Sequence, residues 1–488
     1  MAQKSLSATA AHGGTITMGA QIARIMIQIL QVSILARLIS PESYGLLAMA
    51  VAFTGIAEIL RDFGLSTAAL RSANLTSQQR SNLFWLNTAS GTGLTLVIFL
   101  LSWPIAAFYG QHDLVILVQW ISLAYLVSGV TVQFRVAISQ QLRFRALAVC
   151  DVLPPIVALA AAIPVAAAGH SLAALIVLQL TGPLANLLCS TTLAKWFPGL
   201  PRKTEGMRDL ISFGLGFLGS QILGYMTRNV DSIIIGRFWG PTTLGLYDRA
   251  FRLSVTPVNQ INSPMTKVAL PVLARVADDE QRFERGIRSA QLVACYVTAT
   301  VLCIAAGLAG PIIDVLLGPE WAQAAPLFAI LAISSVFRAI QQIAIWLQVA
   351  KGSSRSLFMS YLIGQPIIIL AICCGIPWGA TGIAVGSVFG YAIFWVFSML
   401  WAGRNTGVKT GPLLTRAFRI VTFVGAPAGL AAYLTATFVP LPSLPLLLLG
   451  LTAAGVVLLT SLAVSKRTRS EVSFILHTLR PPTKTNES

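Results

Sequence analysis

The chain has 488 residues, 55% of them hydrophobic and only 10% charged, with a mean hydropathy of +0.76. A soluble globular domain carries about 25% charged residues, so that class is excluded. A membrane β-barrel is excluded too, because its roughly 10-residue alternating segments are absent and long apolar blocks stand in their place. The formal net charge is +17, from 34 Lys and Arg against 17 Asp and Glu. On this composition the excess reads as basic loops on the cytoplasmic side of a membrane, and no nucleic-acid partner is expected.

A helix needs about 20 mostly apolar residues to cross the hydrocarbon core. Fourteen stretches qualify as candidate spans, at approximately 15–38, 44–62, 83–108, 113–134, 146–168, 171–195, 212–236, 244–270, 290–316, 322–349, 356–376, 379–402, 415–438 and 442–464. Spans two and eight are the most heavily charged of these. The first apolar block contains Arg24 and Gln28 and runs on to Arg37, which does not fit a cleavable leader. The expected protein is therefore an all-α integral membrane protein of about fourteen transmembrane helices.

The connections test the orientation. Every even-to-odd connection is basic, with Arg71 and Arg80; Arg135, Arg143 and Arg145; Arg202, Lys203 and Arg208; Arg275, Arg282, Arg285 and Arg288; Lys351 and Arg355; and Arg404, Lys409 and Arg416. The opposite connections are short and almost free of Lys and Arg, apart from Arg37 and Arg237. This alternation predicts that both termini are cytoplasmic. The stretch 270–286 is basic and partly amphipathic and is expected at the inner surface. The six cysteines all lie in apolar blocks, so neither a disulfide framework nor a zinc site is expected.

An internal repeat organises the chain. With an offset of 200, Gly19 overlies Gly219, and the ungapped register then matches Gln21, Ile22, Met26, Ile34, Arg37, Pro41, Gly45, Leu46 and Ala50 to their counterparts. Shared apolar residues could arise by composition alone. A shared Arg, Pro and Gly in register point instead to one backbone turn made twice. Six spans separate the copies, an even number, so the repeat is parallel, and a parallel repeat places a substrate site at the interface of the halves. The expected divisions are an N-lobe at 1–200, a C-lobe at 201–405, and an extra helix pair with a tail at 406–488.

Polar groups inside the spans are the candidate functional residues. A charge at the centre of a membrane helix costs about 2.5–3.5 kcal/mol on insertion scales, so it usually faces a cavity or a partner. Span one carries Gln21, Arg24, Gln28 and Gln31 on one face, and span seven carries Gln221, Tyr225, Arg228 and Ser232, with Asp231 beside them. Span eight adds Asp248, Arg249 and Arg252, span ten Arg338, and span two Glu58, Arg61 and Asp62. The predicted substrate-binding set is Arg24, Gln28, Arg228, Asp231, Arg249, Arg252 and Arg338. Guanidinium forks suit phosphate and carboxylate oxygens, so the head group they would receive is anionic, a diphosphate or an acidic sugar. For Asp248–Arg252 and Glu58–Asp62, tying helices together is an equally good reading. The carboxylates that could couple an ion are Asp231, Asp248, Glu58 and Asp62. No nucleotide-binding loop or metal motif is present, so no cofactor, no metal and no enzymatic activity are expected.

The stretches PESYGLLAMAVAF and DFGLSTAAL (41–70) and RNVDSIIIGRFWGPTTLGLYDRAFRL (228–253) resemble the two lobe signatures of the Wzx-type polysaccharide flippases, in the multidrug/oligosaccharidyl-lipid/polysaccharide exporter superfamily. The resemblance covers about residues 14–401. It implies two six-helix lobes in a V around a cavity that opens to alternate sides, and a C-terminal helix pair forming a groove for a lipid tail. It implies export of an undecaprenyl-diphosphate-linked oligosaccharide repeat unit across a bacterial cytoplasmic (inner) membrane by proton or sodium antiport. Arg228, Asp231, Arg237 and Tyr247 carry over as motif residues. Expected partners are the lipid-linked oligosaccharide, membrane lipid and a polysaccharide polymerase with its co-polymerase, around a monomeric chain. The alternatives are a cation-coupled drug antiporter of the same superfamily, a peptidoglycan-precursor flippase, and a membrane glycosyltransferase or polymerase. Arginine outnumbers carboxylate in the central stripes, which disfavours the antiporter, and no sizeable acidic loop supports the glycosyltransferase.

Overall fold

A computed structural model describes residues 2–62, 76–202 and 207–479. The side chains of Arg61, Asp62, Gln221 and Arg228 lie outside the described residues, as do Arg71, Lys203 and the side chain of Arg208. All the regular structure described is helical. The helices are α1 (Ala2–Ala36), α2 (Pro41–Asp62), α3 (Ser77–Tyr109), α4 (Asp113–Gln140), α5 (Phe144–Ala167), α6 (Ser171–Ala194) and α7 (Met207–Arg275). They continue with α8 (Glu280–Gly307), α9 (Ala309–Leu316), α10 (Ala324–Ala350), α11 (Ser354–Cys374), α12 (Gly379–Thr406), α13 (Gly411–Phe438), α14 (Ser443–Val464) and α15 (Lys466–Leu479).

All fourteen predicted spans fall on helix. Eleven helices among the described residues are long and apolar enough to cross a membrane. Predicted spans two, seven and eight are helical as well, and each contains side chains outside the described residues. The predicted start of span nine moves back, since α8 begins at Glu280, and the predicted end of span four also moves, since α4 runs on to Gln140. Arg135 is therefore a helix residue rather than a loop residue. Its guanidinium pairs with Asp151 at 2.5 Å and donates to Asn186 at 3.2 Å, which offsets its desolvation.

Helix ends follow local chemistry. Thr76 and Gln79 form a reciprocal capping box at the start of α3: the Gln79 amide donates to the Thr76 hydroxyl at 3.1 Å, and the Thr76 amide donates to Gln79 Oε1 at 3.0 Å. Asp279 caps α8 by accepting from the Arg282 amide at 3.0 Å. The segment α7 is broken at Gly240, whose φ of 78° suits glycine, and helix resumes at Pro241. The stretch 270–286 is not one surface element: α7 ends at Arg275 and α8 starts at Glu280.

Packing divides the chain into two compact units, Met1–Gly245 and Leu246–Ser488. The repeat boundary read from sequence lies at 200/201. The two divisions rest on different grounds, packing in one and internal repetition in the other. In the first unit α1 packs on α5, α3 on α4, and α4 and α5 on α6. Phe84, Phe134, Cys150 and Cys189 form a buried cluster there. In the second unit α10 packs on α12, α11 on α12, and α13 on both α8 and α14. Its core contains Phe283, Leu292, Ile343, Trp346 and Met399. Large apolar side chains such as Leu100, Leu188, Phe389, Phe423 and Leu459 are exposed on the outer surface. An apolar surface of this extent requires hydrocarbon around it.

Candidate functional site

Within the first unit, α1 holds the predicted stripe. Arg24 is half-buried, and its Nε is buried with no hydrogen-bond partner among the described residues. Gln28, one turn further on, is exposed. The first part of α7 packs against α2 through Tyr225, whose hydroxyl donates to the Val51 carbonyl at 2.6 Å. Tyr225 reaches α2 because residue 55 is glycine: a Cβ there would overlap the phenol oxygen. One turn on, the Asn229 side chain donates to the Tyr225 carbonyl at 2.8 Å. Asp231 is buried, and its carboxylate accepts from the Ser232 amide at 2.8 Å. Arg237 is exposed and its guanidinium lies over Phe108, 5.8 Å from the ring centre. Glu58 is exposed and makes no ion pair among the described residues.

Within the second unit, the predicted residues meet on one helical turn. Asp248 is buried and is shared by two arginines, at 3.3 Å from Arg249 and 2.8 Å from Arg252. Tyr247 is fully buried and stacks on Phe251, four residues along the same helix, with centroids 6.3 Å apart. Arg338 reaches this turn from α10. Its guanidinium carbon lies 5.3 Å from the Phe251 ring and 4.7 Å from the Tyr391 ring of α12. No carboxylate pairs with Arg338 among the described residues. Its charge is held in a half-buried position by the negative faces of two rings, a weaker compensation than an ion pair.

Aromatic faces fix where a guanidinium sits without occupying its N–H fork. Arg338 is thus oriented while its donors stay available to an incoming anion. Arg249 and Arg252 differ, because Asp248 already engages both. The aromatic frame of Phe251 and Tyr391 is not anticipated by the sequence. The i, i+4 pairing of Tyr247 with Phe251 inside the second signature is the one signal that could point to it.

These elements define an all-helical, multi-pass membrane protein built on an internal repeat, with charged side chains held inside its bundle. The polysaccharide biosynthesis protein family matches residues 34–326, more than half of the chain, and the chain belongs to that family. It is 26% identical over 317 residues to the teichuronic acid biosynthesis protein TuaB of Bacillus subtilis (strain 168), spanning 64% of this chain and 66% of that one. It is 23% identical over 397 residues to the lipopolysaccharide biosynthesis protein WzxC of Escherichia coli (strain K12), spanning 80% and 79%. The succinoglycan biosynthesis transport protein ExoT of Rhizobium meliloti (strain 1021) is 25% identical over 304 residues, spanning 62% and 61%. Among solved structures, the chain resembles the lipid II flippase MurJ in an inward closed conformation, with a TM-score of 0.70 at 13% identity over 93% of this chain and 98% of that one. An inward-facing multidrug resistance MATE family transporter follows, with a TM-score of 0.62 at 13% identity over 80% and 98%. At these identities the structural likeness shows the fold alone.

Proposed function

We propose that this chain is a flippase that moves a polyprenyl-diphosphate-linked oligosaccharide repeat unit from the cytoplasmic to the periplasmic leaflet, for the synthesis of a surface polysaccharide. A diphosphate-sugar head group cannot cross hydrocarbon unaided. In this reading the protein offers the head group a wet, arginine-lined path while the polyprenyl tail stays in lipid, and rocking of the two repeats exchanges the open side. The lobes at 1–200 and 201–405 are the rocking bodies, and 406–488 supplies the tail-side helices. Both termini lie in the cytoplasm, in agreement with the basic alternate connections. Binding must stay modest so that the head group is released, and no covalent step is needed.

The observation that carries this reading is Arg338, a half-buried guanidinium held by Phe251 and Tyr391 with no carboxylate partner among the described residues. Within a membrane protein such a charge is functional by default, and a guanidinium with free N–H donors suits an anionic ligand. Relatives named for teichuronic acid, lipopolysaccharide and succinoglycan biosynthesis support a saccharide cargo. Arg24, Gln28, Arg228 and Asp231 belong to the same path in this reading, and Arg249 and Arg252 extend it. Asp231 and Asp248 are the candidates for ion coupling, with Glu58 and Asp62 nearer the cytoplasm.

Deleting the gene in its own host tests the function. The lipid-linked repeat unit should accumulate in the membrane and surface polysaccharide should disappear, while susceptibility to cationic drugs stays unchanged. Normal polysaccharide with increased drug susceptibility would make the chain an antiporter of drugs instead.

A further inference from the structure

A second group of arginines lies in the second unit, away from Arg338 and independent of the transport reading. Glu471 on α15 is buried, 3% exposed. Arg419 Nη2 of α13 donates to both its carboxylate oxygens, at 2.6 and 2.7 Å. The Tyr296 hydroxyl of α8 donates to it at 2.8 Å. Arg416 Nε stands 3.7 Å away, an ion-pair distance too long for a hydrogen bond. Arg416 and Arg419 share the one carboxylate of Glu471, and the charges of Arg288 and Arg467 also reach Arg416. Arg288 is itself held over the Phe474 ring at 5.5 Å.

The charges do not balance, and neither do the hydrogen bonds. Arg416 Nε and Arg419 Nη1 are both buried without an acceptor among the described residues. Glu471 does not serve Arg416 Nε, which stands 3.7 Å from its nearer oxygen, and it reaches Arg419 through Nη2 and not Nη1. The depth of the cluster is set by its neighbours. Phe418 lies between the two arginines on α13 and is 63% exposed, and Phe423 follows at 69%. Side chains of that size and exposure need hydrocarbon. A rise of 1.5 Å per residue puts Arg419 only about 6 Å along the helix from Phe423. The guanidinium groups therefore sit at the edge of the apolar surface, where lipid phosphates lie.

We propose that Arg416, Arg419 and Arg288 form a binding site for the headgroup phosphate of an anionic phospholipid. Glu471 holds the arginines together against their mutual repulsion, and the phosphate supplies the missing acceptors and the missing negative charge. The acyl chains lie along Phe418 and Phe423. A free phosphate ion would satisfy the donors but would gain nothing from that apolar flank.

The test uses the purified full-length chain titrated with short-chain phosphatidylglycerol, with phosphatidylcholine of the same chain length, and with inorganic phosphate as competitor. Phosphatidylglycerol should bind at least about tenfold more tightly than phosphatidylcholine, and millimolar inorganic phosphate should not release it. Arg416→Gln should weaken phosphatidylglycerol binding about tenfold and leave α15 docked, because Arg419 keeps Glu471. Arg404→Gln, at the end of α12, should bind as wild type does. Should Arg416→Gln fail to fold, the exposed Arg288→Gln variant carries the test and should also weaken binding. Equal affinity for the two lipids, unchanged binding by both variants, or release by inorganic phosphate would each overturn the assignment.

Discussion

Gly45 and Pro241 meet backbone to backbone: a Cβ built on Gly45 would overlap the Pro241 carbonyl oxygen. The same contact occurs with the roles exchanged, since a Cβ on Gly245 would overlap the Pro41 carbonyl oxygen. The two pairs are related by the 200-residue offset of the internal repeat. The first turn of one helix thus packs into the first turn of its counterpart, and glycine is what lets the backbones approach. Gly45→Ala should destabilise the protein by about 1–3 kcal/mol or more, as overpacking does. Gly19→Ala should be neutral, because nothing lies within 4 Å of a Cβ there. Thermal unfolding of the two variants in detergent compares them directly.

The aromatic frame of Arg338 makes a graded prediction. Tyr391→Phe keeps the ring face and should keep transport. Tyr391→Leu removes a cation–π contact worth about 0.5–2 kcal/mol and should slow transport several-fold with little loss of folded protein. The readout is surface polysaccharide per unit of inserted protein.

Asp248 and Arg252 should not behave as equals. Asp248 is buried and serves two arginines, so Asp248→Asn breaks a buried arrangement of the kind that costs about 3–5 kcal/mol. Arg252 is 51% exposed, so solvent screens its half of the pair. Arg252→Gln should cost below about 1 kcal/mol in stability. Similar unfolding temperatures for the two variants would contradict this ordering.

The Cys150 and Cys189 sulfurs lie 3.4 Å apart, where α5 meets α6. Mild oxidation of the purified protein should join them within one chain, since little backbone movement is needed. The crosslink should vanish in Cys150→Ser. Joining of either cysteine to any other one first would mean that α5 and α6 pack in a different register.

Much of this architecture is legible in the sequence because a membrane enforces it. Each span must be long and apolar, so fourteen blocks stand out along the chain, and Gly and Pro at the repeated turn reveal the register. The candidate site is less legible. Periodicity places Arg338 on a helix, but it cannot place the rings of Phe251 and Tyr391, from two other segments, beside it. Glu471 carries no sequence signal, because it sits in a basic stretch that reads as a solvated tail. Its burial follows from contacts with α8 and α13, more than 50 residues away in the chain.

The most direct test places the purified chain in liposomes and follows a polyprenyl-diphosphate-linked oligosaccharide from one leaflet to the other. Wild type should translocate it, Arg338→Lys should do so more slowly, and Arg338→Ala and Arg228→Ala should be inactive although folded. Translocation by Arg338→Ala at the wild-type rate would show that this guanidinium does not receive the head group, contradicting the account at its centre.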